Sequence, residues 1–141
     1  MIIVDTREKI NNHIIEWFDA NNIFYIWKKL DFGDYMVQGN NKISIDRKQN
    51  LTELAGNLGK HHTRFRNELL RARDCGARVV VLIEEETLPC DWRSKRTKMT
   101  GAQMAKIMQT MSEKYPVEWQ FCKKADAGKR IIEILGGKLS E

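Results

Sequence analysis

The stretch Gly33–Lys48, GDYMVQGNNKISIDRK, decides how this chain is read. It predicts a β-hairpin. Asp34 and Tyr35 open one short strand. Gly39, Asn40 and Asn41 form the turn, because Gly and Asn tolerate the positive φ of tight hairpins. Lys42 to Lys48 is the return strand. Side chains alternate faces along a strand, so Ile43 and Ile45 point into a core and Ser44, Asp46 and Lys48 point the other way. The hairpin carries Asp34 back beside them. Two carboxylates and an ammonium on one strand face suit a divalent metal bound next to a scissile phosphate. An acid and a lysine two residues apart are also common on plain solvated strands, so this short motif does not decide the matter alone.

On the amino-terminal side, Met1–Asp5 (MIIVD) reads as a buried first strand with Asp5 at its carboxyl end. Ile10, Ile14, Trp17 and Phe18 recur at helical spacing, and Asn21 and Asn22 stop that helix. Ile23–Trp27 (IFYIW) is a second strand. On the carboxyl-terminal side, Leu51–Asp74 is helical and divided around Gly56 and Gly59. Phe65, Leu69 and Ala72 form the buried stripe of its second part, with Arg64, Arg71 and His61 on other faces. Gly76 ends it. Arg78–Ile83 (RVVVLI) is continuously apolar, as a central strand covered on both faces should be. Thr87–Met99 is a loop. Thr100 with Gln103 makes a capping box, and Met104, Ile107, Met108 and Met111 give the next helix a core stripe. Val117, Trp119 and Phe121 alternate as a last strand after Pro116. Asp126 is placed to cap a final helix carrying Ile131, Ile134 and Leu135, ended by Gly136 and Gly137. The order predicts an α/β fold: a mixed sheet flanked by helices on both faces, in a single domain over residues 1–141.

Composition sets the frame. The 141 residues are 42% hydrophobic and 30% charged, ordinary for a globular domain of this length. A net charge of +5 permits a polyanionic partner without requiring one. Cys75, Cys90 and Cys122 are odd in number and contain no C-x-x-C pair, which argues against a disulfide framework or a zinc knuckle and fits a reducing compartment. No apolar run reaches membrane length and no signal-peptide pattern begins the chain, so no membrane partner is expected and the protein is read as intracellular. Gly56–Lys60 (GNLGK) lacks the spacing and the preceding strand of a phosphate loop. His61 and His62 could touch phosphate, but neighbouring histidines more often cap helices or face solvent. Arg93, Lys95, Arg96 and Lys98 lie close together with no acid among them, a natural contact for DNA phosphates, with Trp92 beside them to pack on sugar or base. The same run also reads as a solvated loop.

Separated pieces then line up: VDTRE at Val4–Glu8, GDY at Gly33–Tyr35, IDRK at Ile45–Lys48 and the helix LTELAGNL at Leu51–Leu58. The set resembles the nuclease domain of the XPF-type structure-specific endonucleases, whose hallmark is V-D-x-R-E, then G-D-Y, then E-R-K with an acid a few residues on. The resemblance implies a restriction-endonuclease-like fold of the PD-(D/E)XK type and metal-dependent cleavage of DNA with Mg²⁺ or Mn²⁺. It implies Asp34 and Asp46 as metal ligands, Asp46 standing where the family has glutamate. Arg47 and Lys48 match unchanged, and Asp5, Arg7 and Glu8 match the first motif. The implied catalytic set is Asp5, Arg7, Asp34, Asp46, Arg47 and Lys48. Glu53 becomes a third ligand if one extra residue is allowed after Lys48. Arg64 joins the basic residues expected on DNA. The resemblance further implies branched, flapped or junction DNA as substrate, and a homodimer or a partner nuclease or repair protein, paired through the helices of Met104–Met111 and Ile131–Leu135. It also implies a phage or bacterial cytoplasmic setting, since compact members look like phage or bacterial proteins. Two other readings stand beside it, a non-catalytic nucleic-acid-binding module and a partner subunit of another nuclease.

Overall fold

The computed structural model describes residues 1–87, 89, 92 and 98–136. Leu88, Cys90, Asp91, Arg93, Lys95 and Arg96 lie outside the described residues, and so do Gly137 and the residues after it. The strands are β1 (Ile2–Val4), β2 (Tyr25–Trp27), β3 (Tyr35–Val37), β4 (Asn40–Lys48), β5 (Arg78–Glu84) and β6 (Val117–Cys122). The helices are α1 (Asn12–Ala20), α2 (Leu51–Leu58), α3 (His62–Asp74), α4 (Gly101–Lys114) and α5 (Ala127–Ile134). The strands form one sheet in the order β2-β1-β3-β4-β5-β6. β1 pairs parallel with β2 and antiparallel with β3, β3 pairs antiparallel with β4, and β4, β5 and β6 run parallel. The sheet is therefore mixed, as the sequence predicts, with helices on both faces.

β5 explains why there are two cores. Its side chains alternate, and both sets are buried. Val79, Val81 and Ile83 pack with Leu54, Phe65, Leu69 and Met104 from α2, α3 and α4. Val80 and Leu82 pack with Ile14, Phe18 and Ile131 from α1 and α5. A continuously apolar strand is what such double coverage requires. Thr100 and Gln103 do form the capping box that starts α4, with the Gln103 amide nitrogen 3.1 Å from Thr100 Oγ1 and Thr100 N 2.8 Å from Gln103 Oε1. Among the described residues no helix is long and apolar enough to cross a membrane.

Several expectations are corrected. The hairpin turn comes one residue early: Val37 pairs with Asn40, and Gly39 takes φ +86°. Ile10 is not on the α1 stripe. It lies before the helix, 67% exposed at φ +53°, because its loop is pinned elsewhere: Arg47 Nη2 donates to Lys9 O at 2.8 Å. Asp126 makes no side-chain cap; a 3₁₀ turn over Lys124–Asp126 runs straight into α5. Trp92 is buried in the core and presents no ring to a nucleotide. Met104, Met108 and Ile131 are also spent inside this chain's own cores, so the dimer faces expected on their helices would have to use other side chains.

Candidate active site

The parallel pairing of β4 with β5 fixes which way each β4 side chain faces. Ser44, Asp46 and Lys48 stand beside Val79, Val81 and Ile83, on the side covered by α2 and α3. Ile45 and Arg47 stand beside Val80 and Leu82, on the side of α1 and α5. Asp46 and Lys48 are therefore not on an open strand face: both are buried, at 5% and 6% exposure. They reach solvent through a cleft of about 250 Å³ whose lining includes Arg7, Asp34, Asp46, Lys48, Arg64 and Glu68.

The hairpin is built to hold Asp34 there. Asp34 N donates to Ile45 O at 2.6 Å, and Asp34 O accepts from Asp5 N at 2.8 Å, stitching β3 to both neighbours. Its Oδ2 accepts from Arg47 N at 2.8 Å. Just before it, Gly33 takes φ +78°, and a Cβ there would fall 1.9 Å from Ser44 Oγ. Only glycine supplies both that conformation and that clearance. Gly33 N also donates to Glu68 Oε1 at 2.8 Å, which draws a carboxylate from α3 into the cleft.

Glu68 is the residue that sequence reasoning missed. The signal was present: Arg64, Glu68 and Arg71 recur at i, i+4 and i+7 and share one face of α3. All three line the cleft. Glu53, by contrast, is not among its lining residues. Asn50 Oδ1 accepts from Glu53 N, and Glu53 Oε2 accepts from Gln49 N, both at 2.8 Å, so Glu53 caps the start of α2. The expectation of Glu53 as third acid of the cluster is corrected by that geometry.

Three carboxyl groups crowd one ammonium. Burial raises the Asp34 carboxyl well above the usual carboxylate range, with the charges of Asp46 and Glu8 adding to it. Burial and the adjoining Asp46 push Glu68 up to about 8. Lys48 Nζ lies 3.0 Å from Asp46 Oδ1 and 5.8 Å from the centroid of the Phe65 ring. With its amide oxygen turned toward Lys48 Nζ, Asn57 accepts a further bond of 3.1 Å. Burial alone would lower the lysine's pKa. The acids Asp46, Asp34 and Glu68 outweigh it and hold the ammonium protonated, above the ordinary lysine value.

Asp5 and Arg7 make a separate unit at the cleft wall. Asp5 is buried, and its Oδ1 accepts from Leu30 N at 2.8 Å. Arg7 Nε donates to Asp5 Oδ2 at 2.9 Å and Arg7 Nη2 to Leu30 O at 2.7 Å. The Arg7 side chain stays 62% exposed, aimed by its partner and open to an anion.

The Arg47 side chain is on the far face of the sheet. It bonds Glu8 through Nε (2.7 Å) and Nη2 (3.1 Å), and Glu84 through Nη1. Glu84 in turn meets His13 Nε2 at 2.8 Å, and Asn11 Nδ2 donates to the buried Tyr35 hydroxyl at 3.0 Å. Arg47, expected in the catalytic set, forms instead with Glu8, Glu84 and His13 a network that ties the β1–α1 loop to the ends of β4 and β5. His61 and His62 begin α3, where His62 Nδ1 lies 2.9 Å from Gly59 O. Lys98 lies away from the cleft, in a depression beside Met99, Gln103, Lys106 and Ile107.

Residues 4–134 match the ERCC4 domain. Among solved structures, the chain is similar to XPF from Aeropyrum pernix, with a TM-score of 0.73 and 18% identity, covering 95% of this chain and 59% of that one. It is similar also to XPF from Aeropyrum pernix in complex with DNA, with a TM-score of 0.72 and 18% identity, covering 95% and 62%. The chain thus spans about three-fifths of the length of those structures. No curated protein matches it. The match to the domain runs from the end of β1 to the end of α5, across the cleft and the far-face network alike, and places the chain in the ERCC4 domain family, with the fold of the XPF nuclease.

Proposed function

We propose that this chain is a metal-dependent DNA endonuclease, hydrolysing phosphodiester bonds of branched, flapped or single-strand/duplex junction DNA in the cleft of Asp34, Asp46, Lys48 and Glu68. The observation that carries this reading is electrostatic. Carboxyl groups from just before β3, from β4 and from α3 are pressed together around Lys48, while Arg7, Arg64 and Arg71 also line the cleft. A purely structural cluster gains nothing from such an excess of acid. Hard oxygen donors in excess of cations are what Mg²⁺ and Mn²⁺ require, and the basic rim suits a phosphate chain.

Among the described residues no group of three or more acids, histidines or cysteines stands ready-made as a metal cage. The donor chemistry nevertheless fits an ion that keeps waters and phosphate oxygens in its shell. Asp34 and Asp46 would hold it, with Glu68 as the third acid. When bound, it would supply Lewis-acid polarisation of the phosphate and a lowered pKa for attacking water. Lys48, kept protonated by its acidic neighbours, serves as a hydrogen-bond donor to a phosphate oxygen and not as a general base. Asp5 is a positioning residue: it aims Arg7 at the backbone. Arg64 and Arg71 grip flanking phosphates.

The test is incubation with branched, flapped, single-stranded and linear DNA, each with Mg²⁺, Mn²⁺ or EDTA. Cleavage of at least one form with metal and none with EDTA is the expected result. Tight binding of DNA with no cleavage of any form under any metal would overturn the reading in favour of a binding module.

A further inference from the structure

A second concavity adjoins the cleft, and nothing in the catalytic reading uses it. Helices α2, α3 and α4 cover only part of their side of the sheet. Beyond them, over β1 and β3, a groove of about 460 Å³ lies open. Its floor is Ile3 and Met36, with the linker residues Leu30 and Phe32 along one wall. Its rim carries Lys28, Lys29 and the amides of Asn40 and Asn41, all exposed. Lys42, also exposed, stands by Gly76 at the end where Cys75 lines the groove. One acid, Asp31, is part of the lining.

The groove and the cleft share a wall. Asp31 and Phe32 line both. Arg71 sits at that seam, its Nε donating to Asp31 O at 2.9 Å. Cations therefore stand on both sides of the seam, Arg64 and Arg71 at the cleft and Lys29 and Lys28 at the groove, with Asp31 as the acid between them. The floor beneath the lysines is apolar, β2 leaves Ile26 only partly covered, and Phe24, which precedes β2, is 73% exposed.

We infer that this groove seats the single-stranded arm of the DNA substrate where it leaves the cleft. The inference rests on the nuclease reading and adds to it a specific surface. The ligand chemistry follows from two requirements met together. A rim of lysines beside the basic cleft suits a phosphate chain. An apolar floor between the cations is matched by an unstacked base, which duplex DNA keeps inside its stack and a single strand presents freely. The cavity is within the ~300–1,000 Å³ range of sites that take small organic groups, enough for a base with its sugar.

The experiment uses the full chain in EDTA, so that nothing is cut. Binding of a fluorescein-labelled oligothymidylate and of a blunt duplex is followed by anisotropy at several salt concentrations, for the natural protein and for Lys28→Ala/Lys29→Ala. Both lysines are exposed and neither has a side-chain partner among the described hydrogen bonds, so the fold should be unaffected. The double variant should lose roughly tenfold in affinity for the single strand. Its slope of log K against log salt should fall by about 0.7 for each lost contact. Duplex binding should be unchanged. Equal loss on both DNAs would overturn the single-strand assignment, and no change on either would mean the groove faces something other than DNA. Since the measurement needs no cleavage, failure of the nuclease reading shows up separately, in the metal panel.

Discussion

Asp46 has an ammonium on one side and a carboxyl on the other. Lys48 Nζ lies 3.0 Å from its Oδ1, and the Asp46 charge adds to burial in raising Glu68. Asp46→Asn keeps the shape and leaves an oxygen for Lys48, but removes the charge that a metal needs. Cleavage should drop by at least about 100-fold, the scale set by losing groups that support a bound metal. The melting temperature should fall, because the buried Lys48 ammonium loses its charged partner, so cleavage is compared below the variant's own transition. A variant cutting at the natural rate would show that Asp46 is not at the reaction centre. Gly33→Ala tests the neighbouring backbone. With φ at +78° and Ser44 Oγ 1.9 Å from the new Cβ, the hairpin must shift. A loss of stability of about 1–3 kcal/mol is expected, with cleavage lost alongside it, since the same glycine presents its N–H to Glu68. Urea denaturation and a cleavage time course read the two effects.

The long strand β4 shows how one element divides its labour. Its even-numbered side chains, Asp46 and Lys48, serve the cleft. Its odd-numbered Arg47 locks the far face to Glu8 and Glu84. The sequence already contained that division, because alternation puts Arg47 on the side of Ile43 and Ile45. Family likeness, which groups Arg47 with its neighbours, obscured it. Arg47 is accordingly a positioning residue. Its side chain is 1% exposed, so Arg47→Ala would strand two nearly buried carboxylates. Breaking such a pair costs about 3–5 kcal/mol. The expected signature is a large drop in the urea midpoint. Below the new melting transition the residual cleavage should keep the natural metal dependence, since Arg47 reaches the site only through its backbone N–H to Asp34. A variant that is stable but loses metal dependence would move Arg47 into the chemistry.

At the scale of the molecule, the local periods were legible and the crossings were not. Period-two alternation revealed β4, and the apolar run of β5 revealed a doubly covered sheet, because both patterns are imposed by burial along a single strand. Glu68 was hidden because its approach to Gly33 depends on how α3 lies across the sheet, which no spacing within the hairpin encodes. Glu53 misled because proximity in sequence to Lys48 is spent on capping α2. The whole chain should report the resulting charge imbalance in its stability. Glu68, near 4.5 when unfolded, is held at about 8 in the fold. The native state therefore binds more protons than the unfolded state across that window. Its stabilising contribution is complete below about pH 4.5 and is lost as pH rises through about 8. Asp34 shifts the same way. Without metal, the melting temperature should fall by several degrees between pH 5 and pH 8.5, and Glu68→Gln should flatten part of that fall. A divalent cation competes with the same protons, so Mg²⁺ should raise the melting temperature more at pH 8 than at pH 5 and should release protons on binding. Differential scanning calorimetry at several pH values, with and without Mg²⁺, checks both. A metal-induced shift independent of pH, or one undiminished in Glu68→Gln, would place the cation away from this cluster.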